Sequence, residues 1–155
     1  MPESAAASDL EAQPGYCIRR LQQIAVAIFL EETQAHAITP VQYAALYAAQ
    51  RQPGLDQRTL AATIGFDTST IGGVIDRLEK RQLIERQASP TDRRVRLLQV
   101  TAAGAALLEA VIPTMLAAQQ RMLAPLSEAE RPRFMAMLKT LVDASNGLSR
   151  APSAA

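Results

Sequence analysis

Cysteine and histidine are almost absent from this sequence, which has one of each, Cys17 and His36, among its 155 residues. A single cysteine excludes an internal disulfide framework. One cysteine and one histidine also argue against a structural zinc site, which takes about four such ligands. We therefore expect neither a metal nor a disulfide in this chain.

The segments that mark membrane and secreted proteins are also missing. On inspection, no apolar run approaches the roughly 18 residues of a membrane-spanning helix. The N-terminal region, with Glu3, Asp9 and Glu11, lacks the basic start and the hydrophobic stretch of a secretory signal. These features predict a cytoplasmic protein without membrane contact.

The motifs of common enzyme active sites are not found. There is no glycine-rich phosphate loop, and a single histidine leaves no serine–histidine constellation. The neighbouring acids Glu31 and Glu32 fall at exposed positions of a predicted helix and have no catalytic partner. The sequence thus predicts a protein that is not an enzyme and carries no cofactor.

The net charge of only +1 does not by itself indicate a nucleic-acid-binding protein. The charge is uneven, however, because residues 76–96 hold seven basic and four acidic side chains. A local excess of positive charge is what a DNA-binding face requires. The basic residues are Arg77, Lys80, Arg81, Arg86, Arg93, Arg94 and Arg96, and the acidic ones are Asp76, Glu79, Glu85 and Asp92.

Two short helices separated by Gly65 begin just before this basic segment. Asp56 and Asp67 are suitable N-caps, and Gly65 supplies a positive-φ stop. The second helix has an apolar face at i, i+3, i+4 and i+7 spacing, which predicts burial: Ile71, Val74, Ile75 and Leu78. Its opposite face carries small residues that would let it approach phosphates and base edges closely: Thr68, Ser69, Thr70 and Gly73.

A basic hairpin follows the second helix. Residues 83–87 and 95–100 are strand-like, and Pro90 and Asp92 favour a turn between them. Arg93 and Arg94 lie in this turn, where guanidinium groups suit an anionic groove. Together the parts predict a winged helix-turn-helix, a mainly α fold with a small β-hairpin wing.

The helices outside the winged unit predict dimerisation. We assign residues 39–101 to the DNA-binding domain, 14–38 and 102–146 to dimerisation helices, and 1–13 and 147–155 to disordered tails. The terminal helices are too apolar for one small domain to bury, so a two-fold homodimer is expected. Its two recognition helices would address half-sites of a pseudo-palindromic operator in double-stranded DNA.

The order of elements resembles the MarR family of bacterial transcription regulators over roughly residues 14–146. The family's Asp-x-Arg wing signature is matched by Asp92-Arg93-Arg94. Its Leu-Thr-x-x-Gly motif is matched by residues 100–104, with Val100 in place of leucine. Gln82 departs from the pattern, since relatives commonly have a glycine there.

This resemblance implies a homodimer whose DNA affinity is lowered by a small effector, a phenolic or aromatic carboxylate compound. It places Thr68, Ser69, Thr70, Gly73 and Arg77 at the major groove and its phosphates. Arg94 would enter or follow the minor groove, with Asp92 holding it. Arg86 and Arg93 are further candidates for phosphate contact. The alternatives are a surface ion pair for Asp92 and Arg94, and a solvated helix face for Arg77.

Candidate effector-binding residues come from the first two helices. Arg19 or Arg20 would hold a carboxylate, His36 would hydrogen-bond a hydroxyl or carboxylate, and Tyr43 and Tyr47 would line the cleft. The alternative for the two arginines is a surface position or an intersubunit ion pair.

Two further alternatives concern regulation. Cys17 resembles the sensing cysteine of peroxide-responsive members of the family, but we interpret it as a small buried hydrophobic residue. The second alternative is an architectural DNA-binding protein that responds to no ligand.

Overall fold

The computed structural model describes residues 9–149, and within that range it contains six α-helices and a three-stranded sheet. The helices are α1 (Pro14–Glu32), α2 (Pro40–Arg51), α3 (Gln57–Thr63), α4 (Thr68–Lys80), α5 (Ala102–Leu123) and α6 (Glu130–Ser145). The strands are β1 (Leu55–Asp56), β2 (Ile84–Ala88) and β3 (Arg96–Val100). The predicted mainly α winged fold is confirmed.

The helix starts follow local capping signals. Before α2, the Thr39 hydroxyl accepts a hydrogen bond from the Gln42 backbone N–H, and the Gln42 side chain accepts one from the Thr39 N–H, both at 3.2 Å. At α3, α4 and α5, the side chains of Asp56, Asp67 and Thr101 each accept a backbone N–H of the first turn. These caps satisfy N–H groups that a helix start otherwise leaves unpaired.

The sheet has one more strand than the predicted hairpin. Its order is β1-β3-β2, and both pairings are antiparallel, with Leu55 opposite Leu98 and Arg86 also opposite Leu98. Because β1 is only two residues long, it has no alternating pattern to reveal it. It ties the start of α3 to the wing.

The core lies between the winged unit and the helices that flank it. Leu98 of the central strand is fully buried, as is the inner face of α4. Leu46 of α2 and Leu108 of α5 contribute to the same cluster, so one core joins the winged unit to a terminal helix. Helix α4, the predicted recognition helix, therefore packs against the core with one face while its opposite face is exposed.

Gly104 allows α5 to pack closely against the segment that follows α4. A Cβ at Gly104 would overlap the carbonyl oxygen of Leu83 and lie 2.8 Å from a Val100 methyl group. The Thr101 hydroxyl donates to the Gln82 carbonyl at 2.7 Å in the same place. Steric contact thus explains the glycine of the Thr-x-x-Gly motif.

The ends of the described range are more regular than the sequence predicted. Leu10–Ala12 and Asn146–Leu148 form short 3-10 helices, and Asp9 caps the first with its side chain. The prediction of disorder is therefore wrong for residues 9–13 and 147–149. The rest of the two predicted tails lies outside the described residues.

A broad apolar surface is left open on the helices outside the winged unit. No residue of α6 is buried, and Met137 is 65% exposed. Large apolar side chains on α1, α5 and α6 are exposed as well: Ile18, Ile24, Leu30, Leu116, Met135, Leu141 and Val142. An open apolar surface of this kind is typical of a protein–protein interface.

Helix α5 is long and apolar enough to cross a membrane by length and composition, with a mean hydropathy of 1.4. The expectation that no segment reaches that length is therefore wrong. Leu108, Val111 and Ala118 of this helix are buried against the rest of the chain. Leu116 of the same helix is exposed, so only part of its apolar surface is covered in the described chain.

Candidate nucleic-acid interface

Helix α4 separates a buried face from an exposed one. The four apolar residues predicted to be its inner face are all buried. The predicted contact residues are all exposed: Thr68, Ser69, Thr70, Gly73 and Arg77. The Asp67 carboxylate accepts the Ser69 N–H at 2.9 Å and holds the first turn in place.

Gly73 has open space around it. A Cβ built there would meet no heavy atom within 4 Å. A glycine inside a helix costs about 1 kcal/mol relative to alanine. Since nothing in the described chain requires this glycine, its small size suits close approach by something outside the chain.

The wing turn, Ser89–Val95, is built by side-chain hydrogen bonds. Buried Ser89 accepts the N–H groups of Thr91 and Asp92. The Asp92 carboxylate accepts the Arg94 backbone N–H at 3.0 Å and its Nε–H at 3.3 Å. The Arg94 side chain is 92% exposed. Asp92 therefore orients Arg94 while the end of the guanidinium points into solvent, as the Asp-x-Arg signature implied. Arg93 is exposed beside it.

Arg86 differs from its predicted role as a phosphate-contacting residue. Its guanidinium lies 2.7 Å from Asp76 and 2.8 Å from Glu79, and its side chain is only 20% exposed. It also donates to Gln57. Burial lowers the pKa of Arg86, but hydrogen bonds and charges from Asp76 and Glu79 outweigh burial and raise it. Arg86 therefore links β2 to α3 and α4, and the carboxylates of Asp76 and Glu79 balance its charge.

A groove beside the wing brings the predicted residue Arg94 together with a basic residue that the sequence did not reveal, Arg58. Arg58, Arg94 and Arg96 line this groove with Asp56. Arg58 comes from α3, and the pairing of β1 with β3 brings it to the wing. Within residues 9–149, Arg58 and Arg96 form no ion pair. Arg94 was predicted as the wing residue and Arg96 as part of the local excess of positive charge, whereas Arg58 was not predicted.

The structure brings only two of the candidate effector residues together, Tyr43 and Tyr47. Tyr43 lies between Phe29 and Tyr47, with ring centroids 6.1 and 6.0 Å away. Burial, and to a lesser extent Tyr47, raises the pKa of Tyr43, which keeps its phenol protonated. Arg51 lies 5.9 Å from the ring of Tyr47, which is itself 43% exposed. This aromatic stack offers a flat surface with a cation at its end.

The other candidates, Arg19, Arg20 and His36, are not joined to this stack. Arg19 lies over the ring of Tyr16 at 5.4 Å, and Arg20 is exposed. His36 is half-buried in a 3-10 helix, Gln34–His36, between α1 and α2. In the described part of the chain, no hydrogen bond, ion pair or ring contact links Arg19, Arg20 or the His36 side chain to Tyr43. A single binding cleft lined by all of these residues would therefore need additional residues to close it.

Cys17 is exposed, and its thiol donates to the Glu11 carbonyl at 3.3 Å. Its interpretation as a buried hydrophobic residue is therefore wrong for the single chain. The neighbouring side chain of α1, Ile18, is exposed too.

Comparison with known proteins identifies the family. The sequence profile described as the MarR family matches residues 38–95. The chain is 30% identical to the HTH-type transcriptional repressor NicR of Pseudomonas putida, over 87% of this chain and 85% of the relative. It is 36% identical to a putative transcriptional regulatory protein for the hcr operon of Thauera aromatica, over 82% of this chain and 77% of the relative.

Solved structures agree with these matches. PcaV of Streptomyces coelicolor, in complex with its natural ligand, superposes with a TM-score of 0.79 at 34% identity, covering 88% of this chain and 96% of that one. The repressor CouR bound to a 23-mer DNA duplex gives 0.81 at 29% identity, covering 87% and 96%. BpsR of Bordetella bronchiseptica, whose DNA binding is regulated by 6-hydroxynicotinic acid, gives 0.79 at 31% identity, covering 84% and 94%. This chain belongs to the MarR family of transcriptional regulators and is not an enzyme.

Proposed function

We propose that the protein is a cytoplasmic repressor that binds a pseudo-palindromic operator as a homodimer and is released by a small phenolic or aromatic carboxylate compound. The main support for this proposal is that two DNA-compatible features are exposed. They are the outer face of α4 and the side chain of Arg94 in the wing, which Asp92 orients. Both face away from the core that supports them.

The charges of these surfaces support DNA as the partner. In the part of the chain that the structure describes, Arg58, Arg77, Lys80, Arg93 and Arg96 have no carboxylate within ion-pair distance. Unpaired exposed cations release counterions from DNA when they meet its phosphates, and this release drives binding. The small residues at the start of α4 would read base edges in the major groove, while Arg94 would follow the minor groove.

The open apolar surface of α1, α5 and α6 supports a homodimer. A C2 interface uses the same surface on both subunits, and the exposed methionine and leucine side chains of α6 suit such packing. Two copies would present two recognition helices to successive half-sites about one helical turn apart.

An aromatic carboxylate effector fits the chemistry beside α1 and α2. Tyr43 and Tyr47 offer rings for stacking, and Arg19, Arg20 and His36 offer partners for a carboxylate or hydroxyl. The separation of these groups in the single chain suggests that the second subunit completes the cleft. The effector of BpsR, a hydroxylated aromatic acid, belongs to the same chemical class.

Release would follow from a change in the spacing of the two winged units. The effector must bind more tightly to the shape that does not fit the operator, since equal affinity shifts nothing. A hundredfold loss of DNA affinity corresponds to about 2.7 kcal/mol of differential binding. A charge-assisted hydrogen bond to a carboxylate is worth about 1.5–3 kcal/mol, so one such contact, made in only one shape, is sufficient.

Selection of DNA duplexes from a random pool would test the proposal. The wild-type protein is expected to enrich a two-fold symmetric sequence, and 6-hydroxynicotinic acid, benzoate or salicylate should lower its affinity for that duplex. Enrichment without release by any member of the panel would leave a ligand-independent DNA-binding protein. Failure to enrich any sequence would contradict the proposal as a whole.

The exposure of Cys17 supports thiol oxidation as a second candidate signal. The Cys17 thiolate would attack hydrogen peroxide, forming an S–O bond as the O–O bond breaks, which gives a sulfenic acid and releases hydroxide. DNA release by peroxide in the wild type but not in Cys17→Ser would establish it. Equal release, or none, in both proteins would exclude it.

A further inference from the structure

Arg81 follows the last residue of the recognition helix and reaches a distant loop. It donates from one guanidinium nitrogen to the Ala37 carbonyl at 2.8 Å and from the other to the His36 carbonyl at 3.0 Å. These acceptors lie 44 and 45 residues earlier in the sequence, in the α1–α2 loop. Within the described residues, Arg81 has no carboxylate partner. Its charge is directed at the loop by a two-pronged contact.

The loop has a defined shape that presents both carbonyls. Ala37 adopts a left-handed conformation with φ 50° and donates its N–H to Gln34. Buried Thr33 donates its hydroxyl to the Phe29 carbonyl at 2.8 Å and approaches the Ile38 carbonyl at 3.4 Å. Ile38 is buried in the core. The loop is thus fixed at both ends, and Arg81 holds its middle.

The end of the recognition helix is equally defined. Gln82 has φ 59°, its N–H donates to Glu79, and the N–H of Leu83 donates to Leu78. These two bonds form a Schellman motif, with Arg81 as the C-cap residue. A displacement of Arg81 therefore displaces the C-terminal end of α4.

We infer that Arg81 is a positioning residue that couples the α1–α2 loop to the recognition helix. This inference rests on the proposed function, because the loop contains His36 and leads directly into the helix of Tyr43 and Tyr47. A ligand that alters the loop would move the two carbonyls and, through Arg81, the angle of α4. Lysine cannot replace arginine here, since one ammonium group lacks the planar fork that spans two acceptors.

A double-mutant cycle on DNA affinity tests the coupling. Ala37→Val disfavours the left-handed conformation and distorts the loop, whereas Ala37→Gly keeps it and is the matched control. We expect Ala37→Val and Arg81→Gln each to weaken binding to the selected duplex roughly tenfold, and the double variant to be no weaker than either. Additive losses, about a hundredfold in the double variant, would overturn the inference.

The conservative substitution separates positioning from charge. Arg81→Lys keeps the positive charge, so it should bind as weakly as Arg81→Gln if the two-pronged contact matters. Wild-type affinity in Arg81→Lys would mean that charge alone acts there, and would overturn the inference. Lys139→Gln removes an exposed cation on α6 and serves as a control for net charge.

Amide hydrogen exchange tests the link without DNA, so it remains informative if no duplex is selected. In Arg81→Gln, the amides of Ala37 on one side and of Gln82 and Leu83 on the other should exchange faster together. Faster exchange at both sites supports the link even if the proposed function fails. Unchanged exchange at the loop would overturn it, whatever the protein binds.

Discussion

Gly73 and Gly104 illustrate at the residue scale how surroundings decide what a glycine does. Gly104 is buried against the Leu83 carbonyl, whereas Gly73 faces open space. The first has a structural cause within the chain, and the second has none in the described residues. The same substitution should therefore have opposite effects at the two positions.

Gly104→Ala should destabilise the protein by about 3 kcal/mol, because the new methyl group overlaps backbone that cannot move away easily. Gly73→Ala should stabilise it by about 1 kcal/mol through helix propensity, yet weaken DNA binding by blocking close approach. Thermal unfolding and DNA titration of the two variants measure both effects. A Gly73→Ala protein that binds DNA as well as the wild type would remove Gly73 from the interface.

The positive φ of Gln82 is a backbone conformation that is unfavourable for most residues but not for glycine. The φ of 59° costs an ordinary residue about 1–2 kcal/mol. Gln82→Gly should raise the stability by about 0.5–1 kcal/mol, since the greater freedom of glycine in the unfolded chain offsets part of the gain. Chemical denaturation measures the change. A loss of stability would show that the Gln82 side chain makes a compensating contact.

At the scale of elements, the wing and the recognition helix are joined by Arg86. Arg86→Ala should lower the free energy of unfolding by about 1–2 kcal/mol, because charge-assisted hydrogen bonds to two carboxylates are lost. It should also loosen β2 relative to α4. Thermal unfolding of Arg86→Ala, compared with that of the control Arg93→Ala at an exposed position, tests the prediction. Equal stability of the two variants would mean that the contacts of Arg86 contribute nothing to the free energy of unfolding.

The groove between α3 and the wing gives a prediction about phosphates. Arg58→Ala should weaken DNA binding equally for all sequences and reduce the salt dependence of log affinity by about 1 for each subunit. Titrations of the selected and a scrambled duplex at several salt concentrations measure it. A loss confined to the selected duplex would mean that Arg58 reads a base.

Local signals made most of these elements predictable from the sequence. The caps Thr39, Asp56, Asp67 and Thr101 act within three residues, and the apolar face of α4 repeats every turn. The remaining features depend on contacts between distant residues. The partners of Arg81 lie more than 40 positions away, and β1 exists only because β3 pairs with it. No local pattern encodes such contacts.

At the scale of the whole molecule, the exposed apolar surface of α6 is expected to be an interface. The double variant Met137→Glu, Leu141→Glu places charges in that surface and should convert the proposed dimer into monomers. Sedimentation or light scattering measures the change, with Lys139→Gln as the control on the same helix. A dimer that survives both glutamates must use another surface.

The proposed function depends most directly on contact between Arg94 of the wing and DNA. Arg94→Ala should weaken binding to the selected duplex by about 1–3 kcal/mol, roughly 5- to 150-fold. Its melting temperature and oligomeric mass should stay unchanged, because the side chain is almost fully exposed. Titration of that duplex with the wild type and Arg94→Ala under identical salt is the most direct measurement. Wild-type affinity in Arg94→Ala would contradict the account.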